Sequence, residues 1–401
     1  MCCCCPPAIT ALLCLWIRNG FSKASVAGAL TFFPPDPPMY KFRRIGKDGE
    51  ILEDEEEEED AESSVEIDDS ENSEKQRLEI ESKNKPEEKP KNAISAMSER
   101  QKLLQKHAKK AYKKDMRDQE NGVRYEFVVE PSLIPNRFST FIGRMEAVKL
   151  YNEKIKSFVA TVIYRVNPQR DEESRQAPTR TLLYSHGNAT DIGAMSIMQC
   201  YLARGLNVNV VMYDYSGYGA SGGTPLEKNT YSDIETVFNY VVKHVADDKP
   251  EDVIIYGQSV GSGPSCHLCS KKLVGGLILH SPFMSGIRVL TPSRALACLD
   301  IFPNIDRIKK VNCPVMIIHG VLDEEVDMAH GVALHNAVKP EYKRDPWWVK
   351  DRGHNDICEG SGKMNEYILR LKVFLNSLDD CSEVGSALSS PQRMDRNTMV
   401  N

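Results

Sequence analysis

Between residues 118 and 380, short β-branched and aromatic runs alternate with longer amphipathic ones, and that alternation limits the fold more than any other feature. Phe158–Val166, Thr181–Ser185, Val208–Tyr215, Val253–Tyr256, Leu277–His280, Val315–His319 and Trp347–Val349 read as strands. Leu226–Val245, Ser262–Leu273, Asp327–Val338 and Lys363–Leu378 read as helices. Strands that are apolar along their whole length suit a sheet covered on both faces, and intervening helices are what parallel strands need as crossovers. The expectation is an α/β fold with a mostly parallel central sheet flanked by helices, in a stretch long enough for one sizeable core.

Charge divides the remainder of the chain. Residues 48–74 hold sixteen acids and no base, and residues 75–117 hold fourteen bases against six acids. Few aromatics interrupt this tract, so it has little apolar surface to offset the entropy of ordering it. Residues 41–117 therefore read as a charged, disordered insert, although Ala93–Glu120 has some helical character, and residues 381–401 read as a flexible tail. The net charge of −6, once these blocks are set aside, leaves residues 118–401 with no strongly basic field, which argues against nucleic acid as a partner.

The first forty residues form a third unit. Cys2, Cys3, Cys4 and Cys5 are contiguous and are followed by the apolar run Ala8–Ile17. Four adjacent cysteines do not fit disulfide geometry, and they lack the CxxC spacing and nearby His of a zinc site. No basic residue precedes the apolar run, so a secretory signal does not fit either. S-acylation does fit, because stable anchoring takes more than one acyl chain and no run approaches the ~20 residues of a spanning helix. A second apolar stretch, Phe21–Phe33, reads as an interfacial helix or as an ordinary helix packed on the domain. The scattered cysteines farther on suit a reducing compartment.

Two G-x-S-x-G matches occur, Gly219–Gly223 and Gly257–Gly261. Context separates them. Ser259 follows the apolar DVIIYGQ and opens a helix-compatible run, which is the strand–turn–helix setting a nucleophilic serine needs. Ser221 follows a turn-rich stretch and precedes Gly-Gly-Thr-Pro, which reads as a polar loop. Serine requires a base, and the base requires an orienting acid. In this fold both follow the serine, at the ends of later strands: Asp323 comes after Val315–His319, and His354 after Trp347–Val349. Asp327 reads as the cap of the next helix. His280 and His319 read as structural imidazoles. The backbone N–H groups of Val260 and Asn188, the latter in the loop after Thr181–Ser185, are the candidates for the oxyanion hole.

The strings YSHGNATDIG (184–193), YDYSGYGASGGTP (213–225), IIYGQSVGSGP (254–264), LHSPFMSGIRV (279–289), FPNIDRI (302–308), IIHGVLDEEVD (317–327) and GHND (353–356) resemble the α/β-hydrolase domain-containing 17 family. ALTFFPPDPPMY (29–40), after the cysteines, is similar to that family's palmitoylated head. The resemblance implies an α/β-hydrolase fold and a serine hydrolase that removes palmitate from protein cysteines. It implies Ser259 as nucleophile, Asp323 as acid and His354 as base, with no metal or cofactor. S-palmitoylated membrane proteins would be the substrates, at the cytoplasmic face of the plasma membrane and endosomes. Two alternatives remain open: a lipid or small-ester hydrolase with the same triad, and a silent membrane adaptor that binds partners through the charged insert.

Overall fold

In the computed structural model, residues 27–29, 31–52, 110, 112–167, 177–290 and 300–379 are described. Cys2 to Cys5, the run Ala8–Ile17 and residues 53–109 of the charged tract lie outside them. The described strands are β1 (Tyr40–Ile45), β2 (Ile51–Leu52), β3 (Arg124–Val129), β4 (Glu146–Asn152), β5 (Ser157–Tyr164), β6 (Thr181–Ser185), β7 (Asn209–Tyr213), β8 (Val253–Gln258), β9 (Gly276–His280), β10 (Val315–Gly320) and β11 (Trp347–Val349). They form one sheet in the order β11-β10-β9-β8-β6-β7-β5-β4-β3-β1-β2. The half from β7 to β11 is parallel throughout, and the half from β5 to β2 is antiparallel. This is the α/β-hydrolase architecture, and every strand expected from the sequence lies in it.

The main helices are α1 (Asn136–Ile142), α2 (Ser196–Leu206), α3 (Glu227–His244), α4 (Ser262–Cys269), α5 (Met328–Ala337) and α6 (Lys363–Asn376). Strand side chains alternate between faces, so each parallel strand feeds two cores. Leu183, Val211, Ile255 and Leu277 pack with residues of α3 and α4. Leu182, Tyr184, Val210, Ile254 and Tyr256 pack on the opposite face with residues of α2 and α6. All five residues of β6, β7 and β9 are buried, which explains the apolar runs at their centres.

The chain order reverses around β6, which has β7 on one side and β8 on the other. At such a switch point the connections leave on opposite faces and open a crevice at the carboxyl ends of the strands. Register lines those ends up: Ser185 pairs with Gly257, Gln258 with His280, and Gly320 with Val349. The loops after β6, β8, β10 and β11 therefore emerge along one edge.

Two expected boundaries require correction. The globular part does not begin at residue 118, nor does the charged insert begin at 41. β1 pairs along its whole length with β3, from Tyr40–Val129 to Ile45–Arg124, and β2 pairs with β1. Tyr40 and Phe42 point inward while Lys41 stays exposed, so β1 buries one face despite its basic residues. Residues 112–120 are helical, and Tyr112 stacks on Tyr151 at 3.7 Å. Asp118 pairs with Arg44 at 2.7 Å, which ties the end of that helix to β1. The described part of Phe21–Phe33 is a packed segment: Ala27 and Phe32 belong to the core, and Phe32 meets Tyr218 and Phe302 edge-on at 6.3 and 5.9 Å. Phe33, beside it, is 55% exposed.

Replacing Phe32 by Ala should therefore cost about 3–5 kcal/mol of stability, as for other buried phenylalanines, read as a lower urea midpoint. Phe33→Ala should cost no more than about 0.5 kcal/mol. Equal midpoints for the two variants would show that the segment does not pack as described.

Candidate active site

The elbow after β8 is set by close backbone approach. Gln258 is extended, Ser259 has φ 49°, and a 3-10 turn over Ser259–Gly261 leads into α4. A left-handed serine is sterically costly and persists only where its surroundings dictate it. Both motif glycines supply that setting. A Cβ at Gly257 would lie 2.6 Å from the Gly261 oxygen, and one at Gly261 would lie 2.2 Å from the Ser185 oxygen. The elbow thus packs against the end of β6 with no room for a side chain at either glycine, and Ser259 stays half-buried while Val260 and Gly261 are buried.

Two further loops converge on it. Val321 N–H bonds the Val349 carbonyl and Leu322 N–H the Arg352 carbonyl, both at 2.9 Å, which seams the loop after β10 to the loop after β11. A Cβ at Gly320 would lie 2.1 Å from the Gly353 oxygen, so this seam also depends on a missing side chain. His354 is brought over Ser259 as a result. Its Nε2 lies 2.9 Å from Ser259 Oγ, and its Nδ1 lies 2.7 Å from Asp323 Oδ2. A carboxylate accepts only, so Nδ1 carries the proton and Nε2 is left as the acceptor for the serine hydroxyl.

Asp323 is held as an anion. Its burial favours the neutral acid, but hydrogen bonds from His319 and His354 and from the Val326 N–H outweigh burial and keep the carboxyl below its usual range. Oδ1 accepts the Glu325 and Val326 N–H groups at 3.0 and 2.8 Å. His319 Nε2 sits 3.1 Å from Oδ2 and 2.8 Å from the Val326 carbonyl. Such a carboxylate orients the imidazole and stabilises it when protonated, without itself taking the proton.

The other candidates have other partners. Asp327 caps α5, accepting the Ala329 N–H at 2.7 Å. His280 Nδ1 meets the Tyr256 hydroxyl at 2.8 Å. Burial, with His354 and His319 nearby, pushes this imidazole down to about 3, so it is uncharged at neutral pH. Ser221 is buried, its Oγ accepting the Ala160 N–H and donating to the Asp214 carbonyl, both at 2.8 Å. It fastens its loop to β5 and to the residue after β7. Val260 is the second residue of the 3-10 turn, where N–H groups have no partner within the helix. Asn188 lies in the loop after β6. Its side chain is engaged with Thr31, Phe33 and Tyr218, a link the sequence reading missed, since no local pattern joins residues 155 positions apart.

Missed as well was the buried polar cluster behind that loop. Asp214 lies 3.2 Å from His186 Nε2 and accepts from Tyr40 Oη at 2.5 Å and from the Ile192 N–H at 3.0 Å. Burial raises the Asp214 carboxyl above its usual range, although the His186 and Tyr40 hydrogen bonds oppose this. Tyr215 Oη donates to the His186 carbonyl at 2.5 Å.

These placements separate the paired residues by outcome. Ser221→Ala leaves the Ala160 N–H buried without its partner and should cost about 1–3 kcal/mol while retaining fluorophosphonate labelling. Asp327→Asn keeps a capping side chain and most turnover, whereas Asp323→Asn should lower kcat by at least ~10³. A dead Ser221→Ala or Asp327→Asn variant that is still folded would contradict these placements.

The chain is similar to several known proteins. Residues 176–305 match a family model described as serine aminopeptidase, S33. Human alpha/beta hydrolase domain-containing protein 17B is 46% identical over 197 residues, 49% of this chain and 66% of that protein, just under two thirds of its length. The Xenopus laevis protein 17C is 40% identical over 235 residues, covering 58% of this chain and 71% of that protein. Among solved structures, the Pyrococcus furiosus esterase Pf2001 is similar over 61% of this chain and 95% of its own, with 15% identity and a TM-score of 0.48. On the strength of the relatives, the chain belongs to the alpha/beta hydrolase domain-containing protein 17 family and has the α/β-hydrolase fold.

Proposed function

We propose that this chain is a serine hydrolase that cleaves the thioester of S-palmitoylated cysteines on membrane proteins, with Ser259 as nucleophile, His354 as base and Asp323 as its orienting acid. The observation that carries the mechanism is the position of the His354 ring, 2.7 Å from Asp323 and 2.9 Å from Ser259. Ser259 Oγ attacks the acyl carbonyl carbon as its proton passes to His354 Nε2. The oxyanion that forms is received by the amides of Val260 and Asn188. The carbon–sulfur bond breaks, and the cysteine sulfur takes the proton from His354. Water then attacks the acyl-serine, again through His354, and the fatty acid leaves. Asp323 stays ionised throughout.

A thiol of pKa ~8.5 leaves with little help, so a thioester asks less of His354 at that step than an amide does. The resemblance of the Cys2–Cys5 head to the family's palmitoylated terminus supports the choice of substrate. An anchored enzyme meets a membrane-bound substrate at raised effective concentration, without added contacts. The head would place the enzyme at the cytoplasmic face of the plasma membrane and endosomes.

The reading is tested by giving the purified enzyme a palmitoyl-cysteine peptide and a monoacylglycerol. The thioester should be preferred by at least ~10-fold in kcat/KM, and the reverse preference would favour the lipid-esterase alternative. In cells, changing Cys2, Cys3, Cys4 and Cys5 together to Ser should release the protein from membranes and reduce depalmitoylation, because acyl chains contribute ~0.8 kcal/mol per buried CH₂. Hydrolysis of a soluble thioester should be unchanged, since the triad contains no cysteine. Continued membrane association would refute the anchoring role of these residues.

A further inference from the structure

Asn188 is the one proposed oxyanion donor that lies in a loop without regular structure, and its side chain is almost fully used. Oδ1 accepts the Tyr218 hydroxyl at 2.7 Å and the Phe33 N–H at 3.0 Å, while Nδ2 donates to the Thr31 carbonyl at 2.6 Å. The Phe33 N–H also donates to Tyr218 Oη at 3.0 Å. The amide, the phenol and the Asn188 carboxamide therefore close a small ring of hydrogen bonds. None of these bonds uses the Asn188 backbone N–H.

The partners are rigid. Tyr218 has no exposed surface, and its ring lies against Tyr215 and His186 at 5.5 and 5.7 Å. The segment carrying Thr31 and Phe33 is held by Phe32, lodged between Tyr218 and Phe302. The loop needs such support, because Ala189, directly after Asn188, has φ 51°, and a left-handed alanine is kept in place only by its surroundings. At its other end the His186 carbonyl is fixed by Tyr215. An oxyanion donor accelerates a reaction only if it is already aimed where charge develops.

Building on the serine-hydrolase reading above, we propose that the Tyr218 hydroxyl is a positioning group. By bridging Phe33 and Asn188 it aims the Asn188 amide at the carbonyl over Ser259, making the segment at residues 31–33 a working part of the active site. The stretch that joins the cysteine head to the sheet is on this account also the brace of the oxyanion loop.

Tyr218→Phe removes only the hydroxyl and keeps the buried ring, so it tests the bridge directly. On a soluble thioester, with active sites counted by fluorophosphonate titration, kcat per site should fall ~10–100-fold with KM changed less than about twofold, because the lost interaction exists only in the transition state. Asn188→Ala keeps the backbone amide and should show a similar loss. The double variant should be no slower than Asn188→Ala alone, since the hydroxyl acts through that side chain. A purely structural role would instead lower Tm and the fraction of titratable sites while leaving kcat per site unchanged, and that result would overturn the proposal. Additive losses in the double variant would overturn it too. Full turnover by Ser259→Ala would instead sink the reading of the site on which the proposal rests, whereas an inactive Ser259→Ala with an unaffected Tyr218→Phe would remove this inference alone.

Discussion

Gly261 lies so near the end of β6 that a methyl group there would meet the Ser185 carbonyl oxygen at 2.2 Å. Much of the site follows from that contact. It presses the start of α4 against the strand beside β8, turns the chain sharply between them and holds Ser259 in a left-handed conformation. It also falls at the switch point of the sheet, where β7 and β8 lie on opposite sides of β6, so the crevice and Ser259 coincide. The same device recurs at the other side of the site, where Gly320 leaves room for the Arg352 and Gly353 carbonyls and brings the His354 loop against the end of β10.

Electrostatics completes what packing begins. An isolated carboxylate with no solvent-exposed side-chain surface would be neutralised by burial. Asp323 escapes this because two imidazoles and two backbone N–H groups surround it. His319, whose Nε2 faces Asp323 and the Val326 carbonyl, helps keep charge on the group that holds His354. Asp214 offers the contrast: also buried, it has its carboxyl raised although the His186 imidazole lies beside it and the Tyr40 hydroxyl donates to it. One carboxylate is kept ionised beside His354 and Ser259, and the other lies behind the loop that follows β6.

Much of this was legible in the sequence, and for physical reasons. The parallel strands are buried on both faces and so are largely apolar, and Thr181–Ser185 and Trp347–Val349 have the bounds that composition suggested. The order serine, acid, histidine follows from chain topology, so Asp323 and His354 could be located from the ends of their strands. The N-terminal half was hidden. β1 reads YKFRRI, a half-basic strand beside a highly charged tract, and its partner β3 lies about eighty residues farther on. Its burial depends on a pairing that no local pattern announces. The bonds from Phe33 to Asn188 and Tyr218 bridge 155 and 185 positions, and periodicity within a window carries no trace of them.

The account stands on Ser259 becoming transiently acylated. The direct measurement is to mix the full chain with a palmitoyl thioester, quench with acid within the first turnover, digest, and locate the acyl group by mass spectrometry. The account predicts an acyl adduct on the hydroxyl of Ser259, formed in a burst before steady-state release of fatty acid, and slowed many-fold when His354 is replaced by Ala. Acylation confined to another residue, or turnover with no acylated serine at any time under a burst of thiol release, would contradict it.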